Sequence, residues 1–128
     1  MARYLFFTDV DGTLLRGDMA IPERVKIAAK RFVDAGGLLT LCTGRAPLST
    51  AWIAKALDIG LPCILYGGAA LYDFGRREIV SGRALPAGTG ERCAEVLSRF
   101  PTVSLQAYGA ENIFMLRITD LLRAKGVR

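Results

Sequence analysis

Short apolar runs alternate with longer stretches of helical periodicity along this chain, and that alternation predicts an α/β fold on parallel strands. Residues 4–7 are the first run, apolar at every position, as a strand buried on both faces requires. A polar loop over 16–20, with Gly17 and Asp18, comes after the acids that close this run. Ile21-Pro22-Glu23 then opens a helix, because proline suits the first turn and an acid there meets the positive end of the helix dipole. Val25, Ala28, Ala29, Phe32 and Val33 recur at helical spacing through 22–35, while Lys26, Lys30 and Arg31 fall on a solvated face. Gly36-Gly37 stops the helix. Residues 38–42 are a second buried strand, so strand, helix and strand make a βαβ unit with a right-handed crossover.

The alternation continues. A helix is expected over 47–57, with Leu48, Trp52, Ile53, Ala56 and Leu57 toward the core, and a third strand over 62–66. Gly67-Gly68-Ala69-Ala70 lies at that strand's carboxyl end. Residues 71–74 and 78–81, around Gly75-Arg76-Arg77, predict a β-hairpin. The stretch 83–90, with Pro86, Gly88 and Gly90, has the composition of a linker. Beyond it come a helix over 90–100, with Cys93, Val96, Leu97 and Phe100 on one side, strands over 103–108 and 112–117 around Gly109-Ala110, and a short helix over 118–125.

Composition narrows the class. The 128 residues, 52% of them hydrophobic, suit one domain with a buried core. No apolar run approaches the ~20 residues that span a bilayer, and the residues before Thr8 lack a signal-peptide pattern, so no membrane partner is expected. Cys42, Cys63 and Cys93 are an odd, widely spaced set without metal-ligand spacing, which predicts small buried thiols in a reducing cytoplasm. The absence of histidine excludes His-based catalysis and most zinc sites. The net charge of +5 rests mostly on scattered arginines, with only Arg76-Arg77 adjacent and no aromatic-interleaved basic stripe, so nucleic acid is not an expected partner.

The candidate chemistry lies where the first run ends, in Phe7-Thr8-Asp9-Val10-Asp11-Gly12-Thr13-Leu14-Leu15. Open α/β sheets place their sites at the carboxyl ends of strands. Asp-X-Asp-Gly also serves calcium loops and ordinary turns, but here a buried strand precedes it. Two carboxylates this close repel unless a cation neutralises them, and Mg²⁺, which binds one or two carboxylates with water and substrate phosphate, meets that need. A metal-held aspartate can attack phosphorus as a nucleophile, and its neighbour can serve as general acid and base. Gly12 and Thr13 let the chain turn after the acids. Thr43-Gly44-Arg45 closes the second strand at the same end of the sheet, where a hydroxyl and backbone N–H groups can hold a phosphate oxygen. Taken alone, Thr43 also suits a helix cap, and Arg45 suits either an anion or a nearby acid.

The string Asp9-Val10-Asp11-Gly12-Thr13, followed by Thr43-Gly44-Arg45 and the glycine-rich turn and hairpin after the third strand, resembles the Cof-type, sugar-phosphatase-like branch of the haloacid dehalogenase (HAD) superfamily. The resemblance implies a Rossmann-like three-layer parallel sheet, a partial HAD core over 1–86, a β-hairpin, and the start of an α/β cap over 87–128. It implies that Asp9 is nucleophile and Mg²⁺ ligand, and that Asp11 is general acid/base and binds the metal through its carbonyl. Thr43, with Gly44, Arg45 and Gly12, would hold phosphate. The substrate class implied is a small phosphorylated metabolite. Two departures stand out: Gly67-Gly68-Ala69 replaces the branch's usual Asn-Gly-Ala, and the later lysine and Gly-Asp-rich motifs have no counterpart, Lys125 and Asp120 matching neither. The expectation is therefore a chain truncated within the cap, a hydrolase weakly active or inactive alone. The alternative is a non-catalytic truncated HAD-like protein that oligomerises and binds metal or phosphate weakly. In either case the apolar strand over 3–8 would be a sheet edge, so a homo-oligomer is expected.

Overall fold

The computed structural model of the chain describes residues 4–15, 17, 19–109 and 112–120. Arg3, Arg16, Asp18, Ala110 and, from residue 121 on, the helix expected over 118–125 lie outside the described residues. The fold is α/β, with strand and helix alternating from the first strand onward. Two compact units divide the chain, Met1–Arg83 and Ala84–Arg128.

In the first unit β1 (Leu5–Thr8) and β2 (Leu38–Leu41) pair in parallel, in the register Leu5↔Leu38 through Thr8↔Leu41. Between them runs α1 (Glu23–Asp34), and after β2 comes α2 (Pro47–Ala56). A parallel bridge, Cys42↔Ile64, joins the end of β2 to β3 (Cys63–Leu65). A 3-10 turn (Tyr66–Gly68) then reverses the chain into β4 (Ala70–Asp73), which pairs antiparallel with β3 and with β5 (Glu78–Gly82).

Both helices cover the same face of the parallel strands, as successive right-handed crossovers in one direction require. Phe6 of β1 meets Phe32 of α1 edge to face, ring centroids 6.1 Å apart. Leu41, Cys63 and Leu65 join Ile53, Ala54 and Leu57 of α2 in the core, against which Val25 and Ala29 of α1 pack. The two helices line one groove of ≈ 250 Å³, floored by Ile27, Val33 and Leu57.

Three local expectations are corrected. The inner face of α2 runs through Pro47, Thr50, Ile53 and Ala54, leaving Leu48, Trp52 and Ala56 exposed; the helix is apolar nearly all round, so composition does not mark its buried side. Of the three expected buried thiols Cys63 is buried, but Cys42 is exposed and Cys93 half-buried: Cys42 lies one residue past the end of β2, and α3 (Thr89–Arg99), which carries Cys93, has no fully buried residue. Leu5, Phe6 and Phe7 are half exposed, at 50%, 56% and 48%, since among the described residues β1 has β2 as its one strand partner. Among the described strands β1 is thus an edge, as expected.

The second unit contains α3, β6 (Leu105–Tyr108) and β7 (Ile113–Arg117). The two strands form an antiparallel hairpin, and Arg117 donates to the Phe100 carbonyl (2.9 Å), tying β7 to the end of α3. No described helix is long and apolar enough to cross a membrane.

Candidate active site

The turn after β1 is built around one carbonyl. Val10 is fully buried, and its oxygen accepts from the N–H groups of Thr13 (3.3 Å), Leu14 (3.0 Å) and Leu15 (3.0 Å). Gly12 makes the reversal possible at φ 75, a conformation costly for a side chain. Val10, Leu14 and Leu15 belong to the core, and Asp9 and Asp11, the residues flanking Val10 just past the end of β1, are exposed to solvent.

The ends of the three parallel strands are laced together in order. Cys42 N–H donates to the Thr8 carbonyl and Thr43 N–H to the Ile64 carbonyl, both at 2.9 Å. Thr43 is buried, and its Oγ1 accepts from the Arg45 N–H (3.3 Å). Gly44 is exposed, with open space where a Cβ would stand. Arg45 reaches back across the gap: Nη2 to Asp11 Oδ1 at 2.6 Å and Nε to Asp11 Oδ2 at 2.8 Å, a fork matched to both carboxylate oxygens. Its remaining nitrogen, Nη1, donates to the Ser49 carbonyl in the first turn of α2 (3.2 Å). These hydrogen bonds hold the Asp11 carboxyl below its ordinary value against a smaller opposing effect of burial, and they push the Arg45 guanidinium up.

The structure therefore places Asp9, Asp11 and Gly12 on one turn and Thr43, Gly44 and Arg45 on the next, beyond neighbouring parallel strands, with Asp11 and Arg45 in direct contact. Asp9 is exposed. Its carbonyl accepts from Thr8 Oγ1 (2.9 Å), while its carboxylate has no hydrogen-bond or ion-pair partner among the described residues.

Sequence reasoning gave little weight to a third loop. Tyr66 N–H donates to the Arg45 carbonyl and Gly67 N–H to the Thr43 carbonyl, both at 3.1 Å, so the turn after β3 clasps the Thr43-Gly44-Arg45 loop from behind. Tyr66, Gly67 and Gly68 all have positive φ, 54, 65 and 99. The two glycines take this conformation freely, whereas Tyr66 carries a local backbone cost that the surrounding bonds must hold in place. The glycine pair was the one visible signal.

A family model described as haloacid dehalogenase-like hydrolase matches residues 6–125. Over 89 residues the chain is 38% identical to a 5-amino-6-(5-phospho-D-ribitylamino)uracil phosphatase of Bacillus subtilis (strain 168), an overlap of 70% of this chain and 30% of that protein. Among solved structures, a phosphatase of the haloalkanoate (HAD) enzyme superfamily from Bacteroides thetaiotaomicron superposes with a TM-score of 0.81 at 23% identity, over 97% of this chain and 45% of that one. A subclass IIB sugar phosphatase of the superfamily gives 0.69 at 23% identity, over 96% and 47%. The chain spans 26% to 30% of the length of the curated relatives it matches.

Proposed function

The chain belongs to the haloacid dehalogenase-like hydrolase family, and on that premise we propose that it carries the nucleophile-bearing part of a phosphatase acting on small phosphorylated metabolites in the cytoplasm. The observation that carries this reading is the meeting of the two strand-end motifs, Asp11 with Arg45, two residues from an exposed Asp9 whose carboxylate is unpaired among the described residues. In the proposed reaction an Asp9 oxygen attacks phosphorus, the bond from phosphorus to the ester oxygen breaks, and Asp11 gives that oxygen its proton. A water molecule, deprotonated by Asp11, then cleaves the aspartyl-phosphate, restoring Asp9 and releasing inorganic phosphate. Thr43, Gly44 and Arg45, with Gly12 at the turn, hold the phosphoryl oxygens. We assign residues 1–86 to the core and 87–128 to a cap.

The donor set fits Mg²⁺. Asp9 and Asp11 stand exposed on one turn, an oxygen donor set of the kind a hard ion shares with water and substrate phosphate. Asp9 and the Asp11 carbonyl would hold it, and the ion would supply neutralisation of charge on the transferring phosphoryl group. With so few fixed charges around the phosphoryl group, turnover by this chain alone is slow, because phosphoryl transfer is mostly positioning and electrostatics.

The test is incubation of the chain with Mg²⁺ and an aryl phosphate, followed by mass spectrometry of the peptide that contains Asp9. A phosphoryl adduct that is absent in Asp9→Asn and absent without Mg²⁺ is the expected result. Robust hydrolysis unchanged in Asp9→Asn would overturn the assignment.

A second reading, which can hold together with the first, is that the chain self-associates through β1. Tyr4, at 75% exposure, extends the half-exposed run Leu5, Phe6 and Phe7 along a strand with an open edge. Such an edge is a template for pairing with another copy. Light scattering should report a dimer or larger species, and a stable monomer at micromolar concentration would refute it.

A further inference from the structure

Both oxygens of Asp11 are bonded by Arg45, and this competes with the work proposed for Asp11. The guanidinium fork takes one acceptor position on each oxygen and covers the side of the carboxylate that faces the Thr43-Gly44-Arg45 loop, so an ester oxygen or a water approaching from that side must displace it. Arg45 is held in turn at three points: by Asp11, by the Ser49 carbonyl, and by its own N–H on Thr43 Oγ1. Neither of the last two involves Asp11: the Thr43 bond fixes the Arg45 backbone and the Ser49 carbonyl holds Nη1, so the guanidinium keeps one anchor when the Asp11 contact opens. The pair is also half open to water, the Asp11 side chain being 57% exposed and that of Arg45 16%. Screening keeps such a pair weak. A phosphate dianion offers the same fork a doubly charged partner of matching geometry.

We propose that Arg45 is a positioning residue that exchanges partners: it holds Asp11 while the site lacks an anion, and passes to the phosphoryl oxygens when a phosphate arrives, which frees the Asp11 carboxylate to handle the proton. This rests on the phosphatase reading above, and it assigns Arg45 an order of events that the reading does not require. Under the exchange the arriving phosphate must break the Arg45–Asp11 pair to bind, so Asp11 weakens phosphate binding through Arg45.

The experiment titrates inorganic phosphate, without metal, into the chain and into Asp11→Asn, Arg45→Gln and the double variant. Binding is followed by calorimetry and by the ¹H–¹⁵N signal of the Arg45 Nε–H group, with circular dichroism to show that each variant is folded. Arg45→Gln should weaken phosphate about tenfold, the loss of a charged fork. Asp11→Asn should strengthen it about two- to fivefold, the range of a half-exposed ion pair, and should move the Nε–H signal toward its phosphate-bound position. In the Arg45→Gln background Asp11→Asn should have little effect. A full Asp11→Asn gain in that background would reduce the acid to simple repulsion and overturn the exchange, while leaving the phosphate site standing. Absence of phosphate binding in the unmodified chain would overturn both. Arg45→Lys supplies a second variant that keeps the charge without the fork: under the exchange it binds phosphate more weakly than Arg45, and equal affinity would show that the fork is not what is exchanged.

Discussion

Replacing Thr40 with valine tests whether a single hydroxyl helps to fasten the second parallel strand to the third. Thr40 is 2% exposed, and its Oγ1 donates to the Pro62 carbonyl at 2.7 Å, with the Cys63 sulfur at 3.6 Å. The backbone link between β2 and β3 is thin: among the described residues it is the single Cys42↔Ile64 bridge, of which the Thr43 N–H on the Ile64 carbonyl is one bond. Valine keeps the shape and replaces the hydroxyl with a methyl group. Burying that methyl contributes ~0.8 kcal/mol. Leaving a buried carbonyl without its donor costs ~1–3 kcal/mol; Pro62 is half-buried, so the lower part of that range applies. The net expectation is a loss of about 0.5 kcal/mol, which lowers Tm by roughly 2–4 °C in a unit of this size. Urea unfolding followed by circular dichroism gives the free energy, and an unchanged slope shows that the native and unfolded states are otherwise comparable. The sign decides the matter. If Thr40→Val is as stable as the original chain or more so, apolar packing alone holds this position and the hydrogen bond contributes nothing.

Two other outcomes are expected. At Gly67, where φ is 65 and a Cβ would meet nothing within 4 Å, the constraint is backbone conformation and not space; Gly67→Asn should therefore be close to neutral and Gly67→Val should lose roughly 1–2 kcal/mol, the left-handed penalty, measured by the same urea titration. The Asp11–Arg45 pair should give a pH signature. Because Arg45 lowers the folded-state value of Asp11, the pair stabilises above about pH 4, the ordinary carboxylate value, and that contribution disappears as pH falls through the lower folded value. The difference in urea midpoint between the original chain and Arg45→Gln should thus be largest near neutrality, worth no more than ~1 kcal/mol for so exposed a pair, and should vanish in strong acid. A difference constant with pH would refute it.

The order of strands and helices was legible because each element carries its own period. Runs of four or five apolar residues bounded by polar or glycine-rich turns are too short for helices and read as strands, and Val25, Ala29 and Phe32 mark a helix face whatever lies opposite. The positions of Asp9 and Thr43 were legible for a related reason, since each follows an apolar run and strand ends are where side chains leave the core. What could not be read depends on neighbours that are remote in sequence. Leu48 and Trp52 are as apolar as Ile53, and only the direction of the sheet decides which of them is covered. Phe6 and Phe7 belong to a run typical of a central strand, but their exposure is set by what lies beside β1. The clasp from Tyr66 and Gly67 onto Arg45 and Thr43 uses backbone groups alone, which every residue possesses. Even the departure from Asn-Gly-Ala gains a physical reading. Asparagine and glycine are the residues that most readily take the left-handed conformation found at Gly67. The replacement therefore keeps the turn, though it removes the side chain.

The exposure of β1 raises the question of what holds the two acids in place. The strand has four residues in one ladder and little burial to secure it, Thr8 alone being buried. If β1 were the anchor, Asp9 and Asp11 would share its half-exposed freedom. The residues that follow them are better fixed. Val10 is fully buried, Leu14 and Leu15 are 8% and 5% exposed, and side chains of this size contribute ~1.5–3 kcal/mol each when taken from water. The ladder to β2 supplies hydrogen bonds with a net worth of ~0.5–1.5 kcal/mol apiece, on the side of the strand that has a partner. Three buried side chains therefore outweigh the strand on which the motif begins. They converge on one turn in which the Val10 carbonyl collects three N–H groups, so the turn is rigid independently of β1. Asp9 and Asp11 flank Val10 and inherit its position, one on each side of the residue driven deepest into the core. The turn that buries Val10 is thus also what leaves both acids exposed, and it does so without requiring β1 to be covered.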